Sequence, residues 1–379
     1  MRFRHERIDA SPPTQRLTFC ETTDLTGNGR PDVIVGGKGV ESNLWLLGSR
    51  TSYPNPRRLL REKTGIRAAN VFWYENPGWE RHAITDTGRF EVGAAVGDIT
   101  GDGRDELVAG RTIHHPEVYW YQQPDDPRDR WHERLLTDRF EMYHDVRIAD
   151  IDDDGEPEVV GLSQAAETVF YYDVPDDPTQ EPWPDACCHV LADDLSVEGA
   201  EVVDIDGDGR TELIAGTNLF SRRDDGTWER ESLAEGWDDV RVATADLDGD
   251  GRREVVFAEG DSPAHGTHPG RLAVFDTTDW EPTFLHEELF CPHSLQIADI
   301  TGNGRPDVYV SEMGLGENDD PMHLLYANTG DGTLEQHVIA RGTPSHEAKV
   351  VDMTGNGRPD VVGKSFTPTH HVDVWYNEE

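Results

Sequence analysis

The sequence predicts an all-β fold, a seven-bladed β-propeller whose N-terminal strand completes the last blade. Three observations carry that reading. A nine-residue acidic phrase, D-x-[TD]-[GD]-[ND]-G-x-x-[DE], occurs seven times, opening at Asp24, Asp98, Asp150, Asp204, Asp246, Asp299 and Asp352. The openings are 74, 52, 54, 42, 53 and 53 residues apart, and a period near fifty marks a repeated supersecondary unit of a solenoid or propeller. Between phrases the residues pattern into four strands, and radial closure of such units leaves only short sheet edges.

The four strands follow in order. Ahead of each opening Asp lies an alternating segment, such as His144 to Ala149 or Leu295 to Ala298. After the phrase comes an apolar run, such as Val33 to Val35, Leu107 to Ala109 or Val308 to Val310. The third strand is aromatic, as in Val71-Phe72-Trp73-Tyr74 and Val118-Tyr119-Trp120-Tyr121, which suits a pleated, buried surface. The fourth has the form W-x-x-H-x-I, as in Trp79 to Ile84. The last repeat stops one strand short, after His371 to Tyr376, while residues 2 to 8 resemble a fourth strand. Residues 1–9 are therefore expected to close blade 7, and residues 1–379 to form a single domain with a shared core.

Composition bounds the partners. A formal charge of −41 with pI near 4.5 excludes nucleic acid as an obvious partner, because phosphate contacts need clustered Lys and Arg. No run approaches the eighteen apolar residues of a membrane span, so no membrane partner is expected. Met1 to Ala10 holds no apolar stretch of a secretory leader, and a cytoplasmic location is expected. The acidity, with only four Lys (Lys38, Lys63, Lys349, Lys364), resembles that of proteins from salt-adapted organisms. Cys20, Cys187, Cys188 and Cys291 lack the spacing of a zinc site or a disulfide framework.

The seven phrases place oxygen side chains at positions one, three, five and nine. These are Asp98, Thr100, Asp102 and Glu106; Asp150, Asp152, Asp154 and Glu158; Asp204, Asp206, Asp208 and Glu212; Asp246, Asp248, Asp250 and Glu254. In the loops of Asp24, Asp299 and Asp352, Thr26, Thr301 and Thr354 stand at three, Asn28, Asn303 and Asn356 at five, and Asp32, Asp307 and Asp360 at nine. The loops resemble the calcium-binding turns of FG-GAP or VCBS-type propeller repeats, as in integrin α chains and many bacterial proteins. The resemblance implies several bound calcium ions, and the chemistry agrees. Oxygens at these positions, a carbonyl at seven and Gly at six wrap a hard cation at about 2.3 to 2.6 Å. The three Thr/Asn loops offer two charges each and are expected to bind more weakly.

Antiparallel order puts these loops on one face of the disc and the remaining connections on the other, around the mouth of the central channel. Six residues before each opening Asp stand Thr18, Val92, His144, Glu198, Val240, His293 and His346. His144, Glu198, His293 and His346 are expected at that mouth, where imidazoles and a carboxylate ligate one transition metal such as zinc or manganese, or act as acid and base. A ring of solvated or strand-capping histidines is the plainer alternative. Lys38 and Lys364 end the second strands of blades 1 and 7, Arg111 that of blade 2, and Lys349 lies on the inner strand of blade 7. An insertion in blade 1, residues 49–67, adds Arg50, Arg57, Arg58, Arg61, Lys63 and Arg67 against Glu62. A positive patch on so acidic a chain focuses anions, and the expected ligand is an anionic carbohydrate.

The aromatic third strand Phe72-Trp73-Tyr74-Glu75-Asn76-Pro77-Gly78, with the W-x-x-H-x-I segment after it, looks like sugar-acting propellers: the propeller part of aldos-2-ulose dehydratase and propeller polysaccharide lyases. That resemblance implies a carbon–oxygen lyase acting by β-elimination on a uronate-type or keto sugar. His144, His293 or His346 would then be the base, Tyr143 the acid, and Lys349, Lys364 or Arg111 the carboxylate clamp. Two other functions fit the same residues. One is a non-enzymatic, calcium-stabilised propeller that binds a glycan or a protein; the other is a hydrolase using carboxylates among Glu259, Asp261 and Glu312.

Overall fold

The computed structural model describes residues 1–39, 44–45, 52–53, 69–330 and 332–378. They form seven four-stranded antiparallel sheets. The innermost strands are Leu17–Thr23, Phe90–Gly97, Tyr143–Ala149, Ala200–Val203, Val240–Ala245, Ser294–Ala298 and Glu347–Val351, one per blade. Each contacts the next in chain order, and the seventh contacts the first, which closes the ring. No helix among the described residues is long and apolar enough to cross a membrane.

Closure follows the expectation. Phe3–Asp9 pairs antiparallel with Val372–Asn377 and supplies the outermost strand of blade 7. His5 stacks on Trp375 with ring centroids 5.1 Å apart. The same outer-strand His on third-strand aromatic pairing recurs as His82 on Trp73 and His189 on Tyr171, each at 4.6 Å. That contact explains the histidine of the fourth-strand pattern: its ring packs on a buried aromatic that also packs against a neighbouring blade.

The core lies between blades. Second-strand runs such as Asp32–Gly37 and Glu158–Ser163 are buried at every position because both faces meet a neighbouring sheet. Beyond the loop carboxylate that opens each, their central residues are accordingly a continuous apolar run rather than alternating. Inner strands approach closely only where side chains are small. A Cβ added at Gly199 would stand 2.5 Å from the carbonyl oxygen of Val240, so glycine is what lets blade 4 lie against blade 5. The segment linking the second and third strands of blade 1 contains a short pair, Leu44–Trp45 with Ser52–Tyr53. The charged residues of the predicted basic insertion, 50 to 67, lie outside the described residues.

Candidate functional site at the channel mouth

On one face the acidic phrases form the predicted turns between first and second strands. In all seven, the amide of the position-six glycine donates to the opening aspartate. Those glycines have φ between +80° and +94°, a region other residues enter only with strain. Ligand oxygens of Asp150, Asp152 and Glu158 lie within 4.8 Å of one another, as do those of Asp204, Asp206 and Glu212, and of Asp246, Asp248 and Asp250. Three carboxylates at that spacing repel unless a cation or donors sit among them.

On the opposite face, the central channel encloses a cavity of about 370 Å³ lined in part by His144, Arg241 and His293. His144, Glu198, His293 and His346 all lie here, each 7 % exposed or less. They are not a ring of solvated side chains. Instead they lodge between blades and pass contacts from one to the next. His144 Nδ1 in blade 3 stands 3.2 Å from Glu198 Oε1 in blade 4, at ion-pair distance but without hydrogen-bond alignment. Glu198 Oε2 lies 3.3 Å from the Arg241 guanidinium of blade 5. That guanidinium also contacts His293 Nε2 in blade 6. His293 Nδ1 donates to the His346 carbonyl at 2.8 Å, and the two imidazoles stack at 4.0 Å. The Nδ1–H donor fixes the tautomer, leaving Nε2 to accept from Arg241.

The arc ends in Lys364, which is wholly buried. Its ammonium donates to the carbonyls of Leu17 and Thr18 in blade 1 at 2.8 and 2.7 Å, and contacts His346 Nδ1. All three protons are thereby used. Burial pushes the Lys364 amine down to about 7 and His144 down to about 4, and holds His293 and His346 well below the ordinary imidazole range. Burial, reinforced by the nearby Asp261 carboxylate, lifts Glu198 well above its ordinary value. For Asp261, burial acts upward, but His265, His293 and Arg241 outweigh it and keep it ionised.

Several predicted residues stand elsewhere. The Tyr143 hydroxyl donates to the backbone carbonyls of Pro116 and Phe140 (2.7 and 2.5 Å), and its ring is fully buried, so it is committed to packing rather than placed as the acid. Arg111 lies over the Tyr119 ring at 4.2 Å, with Glu117 and Glu133 at 3.7 and 3.9 Å, not in the arc. Lys349 lines the channel deeper down, paired with Glu21 at 2.9 Å and Glu347 at 3.6 Å. Lys38 pairs with Glu91 at 2.8 Å. Among the described residues, the expected clamps Arg111 and Lys349, and Lys38 of the expected positive patch, are neutralised where they stand. Of the suggested carboxylate set, Glu259 holds Arg271 at 2.5 Å, and Glu312 accepts from the amides of Phe290 and Met322, both at 2.8 Å. Only Asp261 reaches the mouth, 3.7 Å from His293 Nε2.

The four-residue metal set of the sequence does not converge on one point. Ligand atoms of Glu198, Asp261 and His293 do gather within 4.8 Å, but His144 and His346 are not among them. The Arg241 guanidinium contacts both Glu198 and His293 and fills the position a metal ion would take. The donor set and this guanidinium compete for one place, so the residues as arranged do not fit a resident transition metal. Arg241 is the residue the sequence reading missed. Its signal was a lone cation in the otherwise small and apolar inner strand Val240–Ala245, one position beyond the histidine column.

Residues 204–257 and 299–363 match the FG-GAP-like repeat family. No curated protein matches the sequence. Among solved structures, the chain is similar to BBS1N in a crystal with ARL6DN, at 10 % identity and TM-score 0.54, covering 98 % of this chain and 95 % of that one. It is likewise similar to the V. cholerae biofilm matrix protein Bap1, at 11 % identity and TM-score 0.56, covering 100 % and 91 %. At such identities the likeness is one of fold. With FG-GAP-like repeats matched over those two stretches and seven blades closed by the first strand, the chain is a β-propeller that carries FG-GAP-like repeats.

Proposed function

We propose that this protein is a calcium-stabilised propeller whose channel mouth carries out a β-elimination on a sugar bearing a carboxylate or ketone. The observation that carries the reading is the convergence of His144, Arg241 and His293 on one cavity of about 370 Å³. In the loops, Asp150, Asp152, Asp154 and Glu158 and their counterparts would hold calcium, which supplies rigidity to the blades.

The chemistry follows from what the cavity offers. His144 is neutral at pH 7, so its imidazole is free to take the proton next to the substrate carboxylate or ketone. Glu198 Oε1, 3.2 Å from His144 Nδ1, is close enough to accept a hydrogen bond from the imidazolium that forms once the ring realigns. Arg241 has a buried Nε without a partner, a donor for the oxygen on which negative charge develops. As the carbon–carbon double bond forms, the β carbon–oxygen bond breaks with its electron pair going to oxygen. His144 returns its proton to that leaving oxygen, so proton removal and departure occur on one face of the sugar. An anionic carbohydrate is the matching partner, with its carboxylate against Arg241.

Incubation with uronate polysaccharides and with keto sugars, followed by the ultraviolet absorbance of unsaturated products, tests this reading. His144→Ala and Arg241→Met are expected to lower turnover by about a hundredfold or more while the fold persists. Turnover unchanged in both, or no absorbing product from any such sugar, would refute it. A second reading is a docking module for a glycan or protein, favoured by the mutual neutralisation of the mouth's charges. It predicts glycan or protein capture without product.

A further inference from the structure

The loops of blades 6, 7 and 1, consecutive around the ring, differ from those of blades 2 to 5 in what the position-nine carboxylate does. In blade 1, Asp32 Oδ2 accepts the Leu25 amide at 3.0 Å and Oδ1 the Asn76 amide at 2.7 Å. In blade 6, Asp307 accepts from Thr301 and Asn328, both at 2.8 Å. In blade 7, Asp360 accepts from Met353 and Asn377 at 3.0 and 2.7 Å. Both oxygens are taken by backbone in each case. The asparagine then reaches back to the preceding blade: Asn76 Nδ2 donates to Met353 O, Asn328 Nδ2 to Leu247 O and Asn377 Nδ2 to Ile300 O, at 2.7, 2.7 and 2.9 Å.

Blades 2 to 5 carry Glu at position nine, and one of its oxygens accepts a loop amide: Ile99, Ile151, Ile205 or Leu247. The second oxygen receives no amide from the third strand, unlike that of Asp32, Asp307 and Asp360. In Glu106, which has no exposed surface, Oε1 is buried without any partner, and in the blade 3 loop Asp152 Oδ1 is likewise unpartnered. The position equivalent to Asn76 is Gln123 in blade 2, whose Nε2 keeps the reach to Leu25 O of blade 1 at 3.1 Å, then Val174, Arg222 and Thr277. The threonine hydroxyl at position three is unpartnered in blades 1 and 2 alike, so it does not separate the two kinds.

We infer that cation binding is confined to the contiguous arc of blades 2 to 5, and that in blades 6, 7 and 1 an Asp–Asn backbone clamp takes the cation's place. A buried carboxylate oxygen without a donor is costly and calls for a ligand of opposite charge; one already holding two amides does not. The closure seam, where Phe3–Asp9 joins blade 7, thus falls in the cation-independent arc. This inference rests on the calcium reading above and narrows it.

Native mass spectrometry of the full chain with Ca²⁺ counts the ions directly, with no variant needed. Four ions or fewer are expected, with Glu212→Gln removing one and Asp307→Asn removing none. Five or more ions, or loss of an ion on Asp307→Asn, would overturn the inference and leave the calcium reading standing. No bound Ca²⁺ at all would overturn both.

Discussion

The two faces of the disc are both crowded with charge, yet they use it in opposite ways. On the loop face each opening aspartate binds the backbone of its own turn, as Asp150 does with the amides of Asp154 and Gly155 at 3.1 and 2.9 Å. At the mouth, each contact from His144 through Glu198, Arg241 and His293 to His346 crosses from one blade to another, and Lys364, in the same blade as His346, carries the arc on to Leu17 and Thr18 of blade 1. Loop-face charge therefore shapes local turns, whereas mouth charge is part of what holds the ring together.

The largest test of that contrast is Glu198→Ala. It removes the carboxyl group that the buried Arg241 guanidinium touches and leaves only the more distant Asp261, and removing one partner of a buried pair costs about 3–5 kcal/mol. Thermal unfolding should show a large fall in Tm in one cooperative transition. A small change would place the ring's cohesion elsewhere. Next comes Gly155→Ala on the loop face, where φ is +92° and a Cβ meets nothing within 4 Å. The cost is only that of the backbone conformation, roughly 1–2 kcal/mol, and it should appear as local amide exchange in blade 3 before any global change.

A pH series separates the faces by sign. His144 falls from 6.5 to about 4 on folding, so between those values the unfolded chain binds more protons. Its contribution is present above pH 6.5 and lost as pH drops toward 4. Burial instead raises Glu158 to about 8, so without calcium the folded chain binds more protons between 4.5 and 8. Its contribution is present below pH 4.5 and lost as pH rises toward 8. Melting curves across pH with a chelator should show both slopes, and saturating Ca²⁺ should abolish only the second. A His144→Gln protein that keeps the full acid slope would remove His144 from the account. Smallest of all, Arg104→Gln breaks exposed pairs with Asp102 and Asp125 and should leave Tm unchanged, since surface pairs contribute little.

The fold was legible because its signal repeats: seven phrases, seven glycines at one strained position, and a missing strand answered by RFRHERI at the other end. The histidine column was legible for the same reason, since six residues before each Asp is a fixed place on an inner strand. What those side chains touch was not. Alternation along a strand sends neighbours to different sides, so the next position, Arg241, governs what His293 and Glu198 can do. No count along one strand shows which residue of blade 5 meets blade 6. Tyr143 shows the same limit: its place beside His144 is visible in sequence, while the Pro116 and Phe140 carbonyls that capture its hydroxyl are not.

The strand Phe3–Asp9 is made before every other strand of the propeller and finds its partner after all of them. His5 and the Asp373 that it meets at 2.8 Å are 368 residues apart in the chain, so until Val372–Asn377 is made the strand has no sheet to join. Completion of the ring must wait for that strand, and a nascent chain stalled before Val372 would present an open circle to chaperones and proteases.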